Sequence, residues 1–341
     1  MKKQTNSFAT DSKSCFMQNR KIKLSPRTTK FINFFLCFIC IFKFSFLILS
    51  CGASGSFSGF FYSDNQPDNR IDSNLKKLSV SFPSAKTYTF LIFSDLHFGV
   101  KPENNLPYTQ LEASILAETS AGRAPIFIVT LGDQTNSGTQ NEYEQFQSFM
   151  NYILSKTGII QTFGVIGNHD LWNGGKNRWT NYVSPGATFY WFSQDSWNRS
   201  FYFLDSASGT LGSKQLESLE KALSADKKRK FLFMHYPVAS HEDTAYFMLA
   251  DSREKIKILS LADKNDVDLL FVGHSHEARF DEIGSFAQVI AGSLKKNSKG
   301  FCYWTFVTIN EDLQTATFRR YSVENNNENP VLTEWTYCFV H

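Results

Sequence analysis

The segment LLFVGHSHEARF (269–280) closes an apolar run with Gly273-His274-Ser275-His276, two imidazoles two residues apart. In an extended chain, residues i and i+2 face the same side, so His274 and His276 can address one ion together. Asp95 and His97 repeat the offset in SDLH (94–97). Between these pairs lie Gly132-Asp133, Gly167-Asn168-His169-Asp170 and His235. Five of the seven histidines fall in these groups, and only His241 and His341 do not. Glycine precedes the donors at 133, 168 and 274, where tight turns and close backbone approach are needed.

The donor set is Asp95, His97, Asp133, Asn168, His235, His274 and His276. Two carboxylates, one amide oxygen and four imidazoles exceed what one ion normally accepts; they suit two ions sharing an Asp. The mixed nitrogen and oxygen set favours Zn, Mn, Fe or Co over Ca or Mg alone, and without thiolates it does not suit Cu(I) or iron–sulfur. Taken singly, His235 before Tyr-Pro reads as a structural histidine, and Asp133 and Asn168 as turn residues. Their order along the chain argues against reading them singly.

The elements that must position these groups alternate. Strands are expected at 88–97, 125–133, 160–170, 230–237 and 267–276, with a hairpin from 188–192 to 199–206. Helices are expected at 108–122, 141–158, 213–225 and 245–264. From about 278 onward, β-like runs such as FCYWTFVTI and TATFRRYSV dominate. Strand after strand ends in Asp, His or Asn, and ligand sites of open α/β sheets form beyond the carboxyl ends of strands. The chain reads as a layered α/β fold without internal repeats.

The ordered pattern D-x-H, GD, GNH(D/E), H, GHxH resembles that of the calcineurin-like metallophosphoesterase superfamily. The resemblance covers about residues 86–310 and implies a four-layer α/β/β/α sandwich of two packed mixed β-sheets. It also implies that Asp95, His97 and His276 hold one metal, that Asn168, His235 and His274 hold the other, and that Asp133 bridges them. In GDQTNSG, Asn136 stands where many relatives carry Asp and where purple acid phosphatases place Tyr. The usual Arg of the protein Ser/Thr phosphatases is also missing after this motif.

Such a pair of ions, about 3.5–4 Å apart, clamps a phosphoryl oxygen and acidifies a bridging water, whose hydroxide attacks phosphorus in line. The resemblance supports His169 as general acid for the leaving alkoxide, with Asp170 as its orienting partner. The residues alone leave open whether His169 only supports the ligands. The shared metal core does not choose among phosphate monoesters, diesters and nucleotide-type pyrophosphates. The alternatives are a phosphodiesterase for nucleotides or glycerophosphodiesters, and a non-catalytic metal-binding lipoprotein. In the loop LWNGGKNRWTNYVSPG (171–186), Trp172, Arg178 and Trp179 are candidates to touch a base, sugar or phosphate, with surface packing as the default. Glu112, Glu118, Glu142 and Glu144 fit exposed helix faces, His241 a loop, and DKKRK (226–230) a solvated turn.

The 341 residues carry a formal charge of +3, unevenly spread. Residues 1–51 hold nine Lys/Arg and one Asp, so the remainder carries −5 and offers no general attraction to nucleic acid. Basic RKIKLSPRTTK (20–30), then apolar FINFFLCFICIF (31–42) and FSFLILSC (44–51), follow the order of an export signal. ILSCG resembles the bacterial lipobox, implying cleavage before Cys51 and lipid on its thiol, although Ile48 and the intruding Lys43 depart from the pattern. An uncleaved membrane anchor is the alternative, and Met17 is a candidate start. The expected organisation is a signal at 1–50, a flexible tether at 51–85, the metallophosphoesterase domain at 86–310, and a C-terminal β extension at 311–341 packed on it. The enzyme would then be exported and held to a membrane, on the cell surface or the periplasmic side. Cys15, Cys37 and Cys40 would leave with the signal. Cys302 and Cys338 would remain, either as a disulfide or as separate thiols.

Overall fold

The computed structural model describes residues 66–71, 75–100, 106–240, 248–325 and 329–340. The lipobox-like Cys51, the export segment, His241 and His341 lie outside them. No helix among the described residues is long and apolar enough to cross a membrane.

Two sheets carry the structure. The first has six strands in the order β13-β12-β11-β2-β3-β4. Its strands are β2 (Thr87–Phe93), β3 (Pro125–Leu131), β4 (Thr162–Val165), β11 (Phe301–Asn310), β12 (Thr315–Glu324) and β13 (Val331–Cys338). The β2-β3-β4 part is parallel and the β11-β12-β13 part antiparallel. The second sheet has seven strands in the order β1-β5-β6-β7-β8-β10-β9. These are β1 (Lys76–Lys77), β5 (Tyr190–Gln194), β6 (Arg199–Phe203), β7 (Arg229–Phe233), β8 (Val267–Val272), β9 (Ala278–Ile283) and β10 (Phe286–Ala291). As expected, β5 and β6 form an antiparallel hairpin.

Side-chain alternation explains the layers. Phe90 and Ile92 of β2 face the space between the sheets, whereas Leu91 and Phe93 face the helices α2 (Tyr108–Ser120) and α3 (Gln140–Thr157). On the second sheet, Leu232 and Leu270 pack outward against α5 (Ser213–Ala225) and α6 (Ser252–Lys264). Burial on both faces is why these strands are continuous apolar runs. Much of the phenylalanine fills the inter-sheet layer: Phe203, Phe233 and Phe271 are register partners on β6, β7 and β8, with stacked centroids 4.5 and 4.9 Å apart. The result is the four-layer α/β/β/α sandwich that the motifs imply.

Several expectations need correction. Residues 66–71 and 75–85 belong to the expected tether, yet α1 (Pro67–Arg70) packs on the body. Buried Arg70 reaches Asp205 at 2.7 Å, and β1 pairs with β5. The helix expected from 245 starts at Ser252, where Asp251 caps it by accepting from the Arg253 N–H at 2.7 Å. Glu118 and Glu142 are buried, not exposed. Glu118 receives Arg123 and Tyr321, and Glu142 accepts the Thr139 N–H at 3.0 Å to start α3. Lys230 is buried too, because β7 begins inside the expected turn. Cys302 pairs with Val323 and Cys338 with Thr315, positions about 27 Å apart along β12 at 3.4 Å per residue. That spacing rules out a disulfide between them.

Candidate metal centre

The parallel strands β2, β3, β4, β7 and β8 all stop shortly before a donor. Phe93 ends β2 ahead of Asp95 and His97, Leu131 ends β3 ahead of Asp133, and Val165 ends β4 ahead of Asn168. Phe233 ends β7 ahead of His235, and Val272 ends β8 ahead of His274 and His276. Hydrogen bonds then stitch one sheet's donor loops to the other's. His235 Nδ1 donates to the Leu131 carbonyl at 2.7 Å, and the His274 N–H donates to Asp95 Oδ2 at 3.0 Å. Within the first sheet, the His169 N–H donates to Asp133 Oδ1 at 2.9 Å.

The seven expected donors meet in two sets. In the first, His276 Nε2 lies 3.1 Å from His97 Nε2 and 3.5 Å from Asp95 Oδ1, with His97 and Asp95 4.0 Å apart. In the second, His235 Nε2 lies 3.1 Å from Asn168 Oδ1 and 3.2 Å from His274 Nδ1. Asp133 Oδ2 stands between them, 3.6 Å from His97 Nε2 and 3.4 Å from His235 Nε2.

These separations fit a bound cation. Two donors about 2.1 Å from one ion lie about 3.0 Å apart at right angles and about 3.4 Å apart at the tetrahedral angle. Asp95 Oδ1 is buried without a hydrogen-bond partner, an orphan that a cation would satisfy. The Leu131 carbonyl can only accept, so His235 carries a proton on Nδ1 and turns Nε2 inward as the atom that would meet an ion. Burial works against charge on Asp133, but His235, His169 and His97 hold its carboxyl well below the usual range. Burial pushes His97 down to about 3. At neutral pH the metal-free site thus offers the Asp133 carboxylate and the neutral His97 ring, while Asp133 keeps His235 protonated until an ion displaces its inward proton.

Backbone conformation supplies what composition could not reveal. Asp95, His97, Asp133, His274 and His276 all have left-handed φ, between 47° and 67°. Non-glycine residues adopt it at a cost, and such outliers gather at functional sites. Gly132 has φ near 101°, and a Cβ there would strike the His235 ring; a Cβ on Gly167 would strike Asp133. Close approach, more than turn formation, therefore dictates both glycines.

His169 lies beside the donors, its ring centroid 4.7 Å from that of His97. Its expected partner does not orient it. Asp170 accepts from the Gly167 and Thr135 N–H groups, each at 2.9 Å, and from the Thr135 hydroxyl at 3.0 Å. It ties the two donor loops together, while His169 Nδ1 donates to the Asn136 carbonyl at 2.7 Å. A main-chain oxygen does the orienting, which residue type at 136 could not disclose. Trp179 is buried, donating to Gln134 at 3.2 Å, and Arg178 bonds the Gly138 and Asn173 carbonyls. Of the three loop candidates, Trp172 alone is exposed beside the site.

Other neighbours went unnoticed in the sequence. Tyr236 stacks on His274 with centroids 3.9 Å apart. Ser293 donates to the Asp95 carbonyl at 2.9 Å, and the Lys295 N–H to the same oxygen at 3.3 Å. Burial lowers the Lys295 pKa against the pull of Asp95 and Asp133. Tyr236 directly follows a donor, but nothing in the sequence marks Ser293 or Lys295.

The sequence model of the calcineurin-like phosphoesterase family matches residues 88–278, more than half of the chain. The chain belongs to that family, and its described residues bring together clustered His and Asp side chains that could hold metal ions. Among solved structures it resembles a purple acid phosphatase from yellow lupin (Lupinus luteus) seeds, with TM-score 0.52 and 13% identity over 75% of this chain. The chain spans 54% of the lupin enzyme's length. It also resembles GAP50, the anchor in the inner membrane complex of Plasmodium, with TM-score 0.53 and 16% identity over 74% of this chain and 89% of that one. At these identities the likeness is one of fold. No curated protein matches the chain.

Proposed function

We propose that the chain is an exported hydrolase of phosphate esters with a dinuclear centre. Asp95, His97 and His276 hold one ion, Asn168, His235 and His274 the other, and Asp133 is shared. The observation that carries this reading is the position of Asp133 Oδ2 between His97 and His235, within 3.6 Å of both. The donor chemistry suits Mn, Fe, Zn or Co. When bound, such ions supply Lewis-acid stabilisation of the phosphoryl group and an acidified water as nucleophile.

The chain's own part follows from its hydrogen bonds. With Nδ1 held by Asn136, His169 exchanges its proton at Nε2, the atom left to protonate the departing alkoxide. Asp170 acts one step back: its four contacts lock the Gly132-Asp133 and Gly167-Asn168 loops in mutual register. His235 presents Nε2 because the Leu131 carbonyl fixes its tautomer. Export rests on residues 20–51, whose basic, apolar, small-residue order ends at the lipobox-like Cys51.

The test is turnover by the full chain reloaded with Mn or Zn, on monoester and diester substrates, beside Asp133→Asn and Asn168→Ala. We expect hydrolysis by the wild type and losses above about 100-fold in both variants. Intact turnover in either variant places the chemistry elsewhere. No turnover of any ester, with metal bound, leaves a binding protein.

A further inference from the structure

Trp172 follows the GNHD motif by two residues and is 46% exposed, among the few large apolar side chains left open to solvent. Its ring sits 4.3 Å from that of His169, tilted by 35°. The backbone holding it is not free to swing. The 3₁₀ segment His169–Gly174 breaks at Trp172 (ψ 153°) and Asn173 (φ 53°). Asn173 Nδ2 then donates to the Ser137 carbonyl at 2.8 Å, and Arg178 bonds the Asn173 and Gly138 carbonyls. Gly138 lies against the Trp172 carbonyl so closely that a Cβ would collide with it. The Ser137–Gly138 turn and Arg178 thus brace the backbone of an indole left nearly half open.

Exposing a large rigid ring on a braced loop wastes burial free energy unless something covers it. Here its neighbour decides what. In the proposed function His169 Nε2 serves the departing oxygen of the ester, so a ring beside His169 would meet the group attached to that oxygen.

We infer that Trp172 is a stacking platform for the leaving group, and that the preferred substrates are phosphate esters of planar aromatic or nucleobase-bearing alcohols. This rests on the proposed role of the centre and of His169. Trp172 touches the substrate's leaving half and selects it by ring contact rather than by charge. No metal ligand is asked to change role.

Full-length, metal-loaded wild type, Trp172→Ala and Trp172→Phe decide the matter. The first readout is the ratio of kcat/KM for AMP and 4-nitrophenyl phosphate to that for glycerol phosphate. The ratio should fall about tenfold or more in Trp172→Ala, mostly through KM, and Trp172→Phe should recover most of it. An unchanged ratio or an equal loss on both substrate types in Trp172→Ala, or no recovery in Trp172→Phe, would overturn the inference, since a purely structural Trp172 lowers all turnover together. The second readout needs no turnover: quenching of tryptophan fluorescence by adenosine, compared with ribose. Quenching that disappears in Trp172→Ala supports the platform even if no ester is hydrolysed, in which case the hydrolase reading fails by itself. Quenching that is absent in the wild type, or survives in Trp172→Ala, refutes the platform.

Discussion

His169 and Asp170 are adjacent in sequence but serve different structures: His169 Nδ1 donates to the Asn136 carbonyl at 2.7 Å, while Asp170 binds the Gly167 and Thr135 backbone. Their variants should therefore fail differently. His169→Ala should lose about 10²–10⁴-fold in kcat on alkyl esters, far less on 4-nitrophenyl phosphate, whose leaving group needs no proton. It should keep metal and melting temperature. Asp170→Ala strands buried donors at about 1–3 kcal/mol each. It should lower both metal content and melting temperature. Matching behaviour of the two variants in substrate dependence and stability contradicts this division.

Metal uptake should release protons. Burial opposes charge on His235, but Asp133 and Asp95 overcome it and raise its pKa to about 9. A raised pKa means the metal-free imidazole is protonated below that pH, and an ion must displace the proton. Apparent affinity should thus climb with pH through neutrality and level off above about 9. Calorimetry in buffers of different ionisation enthalpy reads the release directly; a buffer-independent heat near neutral pH would contradict it.

The opposite ends of the strands are tied by charge. Buried Arg199 at the start of β6 bonds Glu311 at 2.7 Å and Asp268 at 2.6 Å, and Arg229 shares Asp268. Arg199→Met leaves two buried carboxylates short of a partner and should cost about 3–5 kcal/mol by denaturant unfolding. The folded fraction should bind metal normally. A cost below about 1 kcal/mol would mean that water or neighbours replace the guanidinium.

The proposed lipid attachment at Cys51 is separable from catalysis. Cys51→Ala should abolish incorporation of labelled fatty acid in cells and release the enzyme from membranes. Labelling unaffected by the substitution would favour an uncleaved anchor.

The candidate donors were legible because each follows a strand end, and a strand end is marked by an apolar run stopping at Gly, Asp or His. The layered α/β alternation followed from the same runs, continuous because both faces of each strand are covered, whereas the division into two sheets came only with the family resemblance. What stayed hidden depends on the backbone. The carbonyls of Asn136 and Leu131 that set the His169 and His235 tautomers have no residue-type signature. Nor do the left-handed conformations of five donors. Buried glutamates misled for a related reason: Glu118 and Glu142 obey helical polarity, but partners distant in sequence or a helix cap give them buried roles.

The sharing of Asp133 is tested most directly by X-ray absorption at the metal edge of the fully loaded chain. Two ions per chain are expected, with a metal–metal scattering path at about 3.5–4 Å that vanishes in Asp133→Asn. One ion per chain, or a metal–metal path untouched by that substitution, would contradict it.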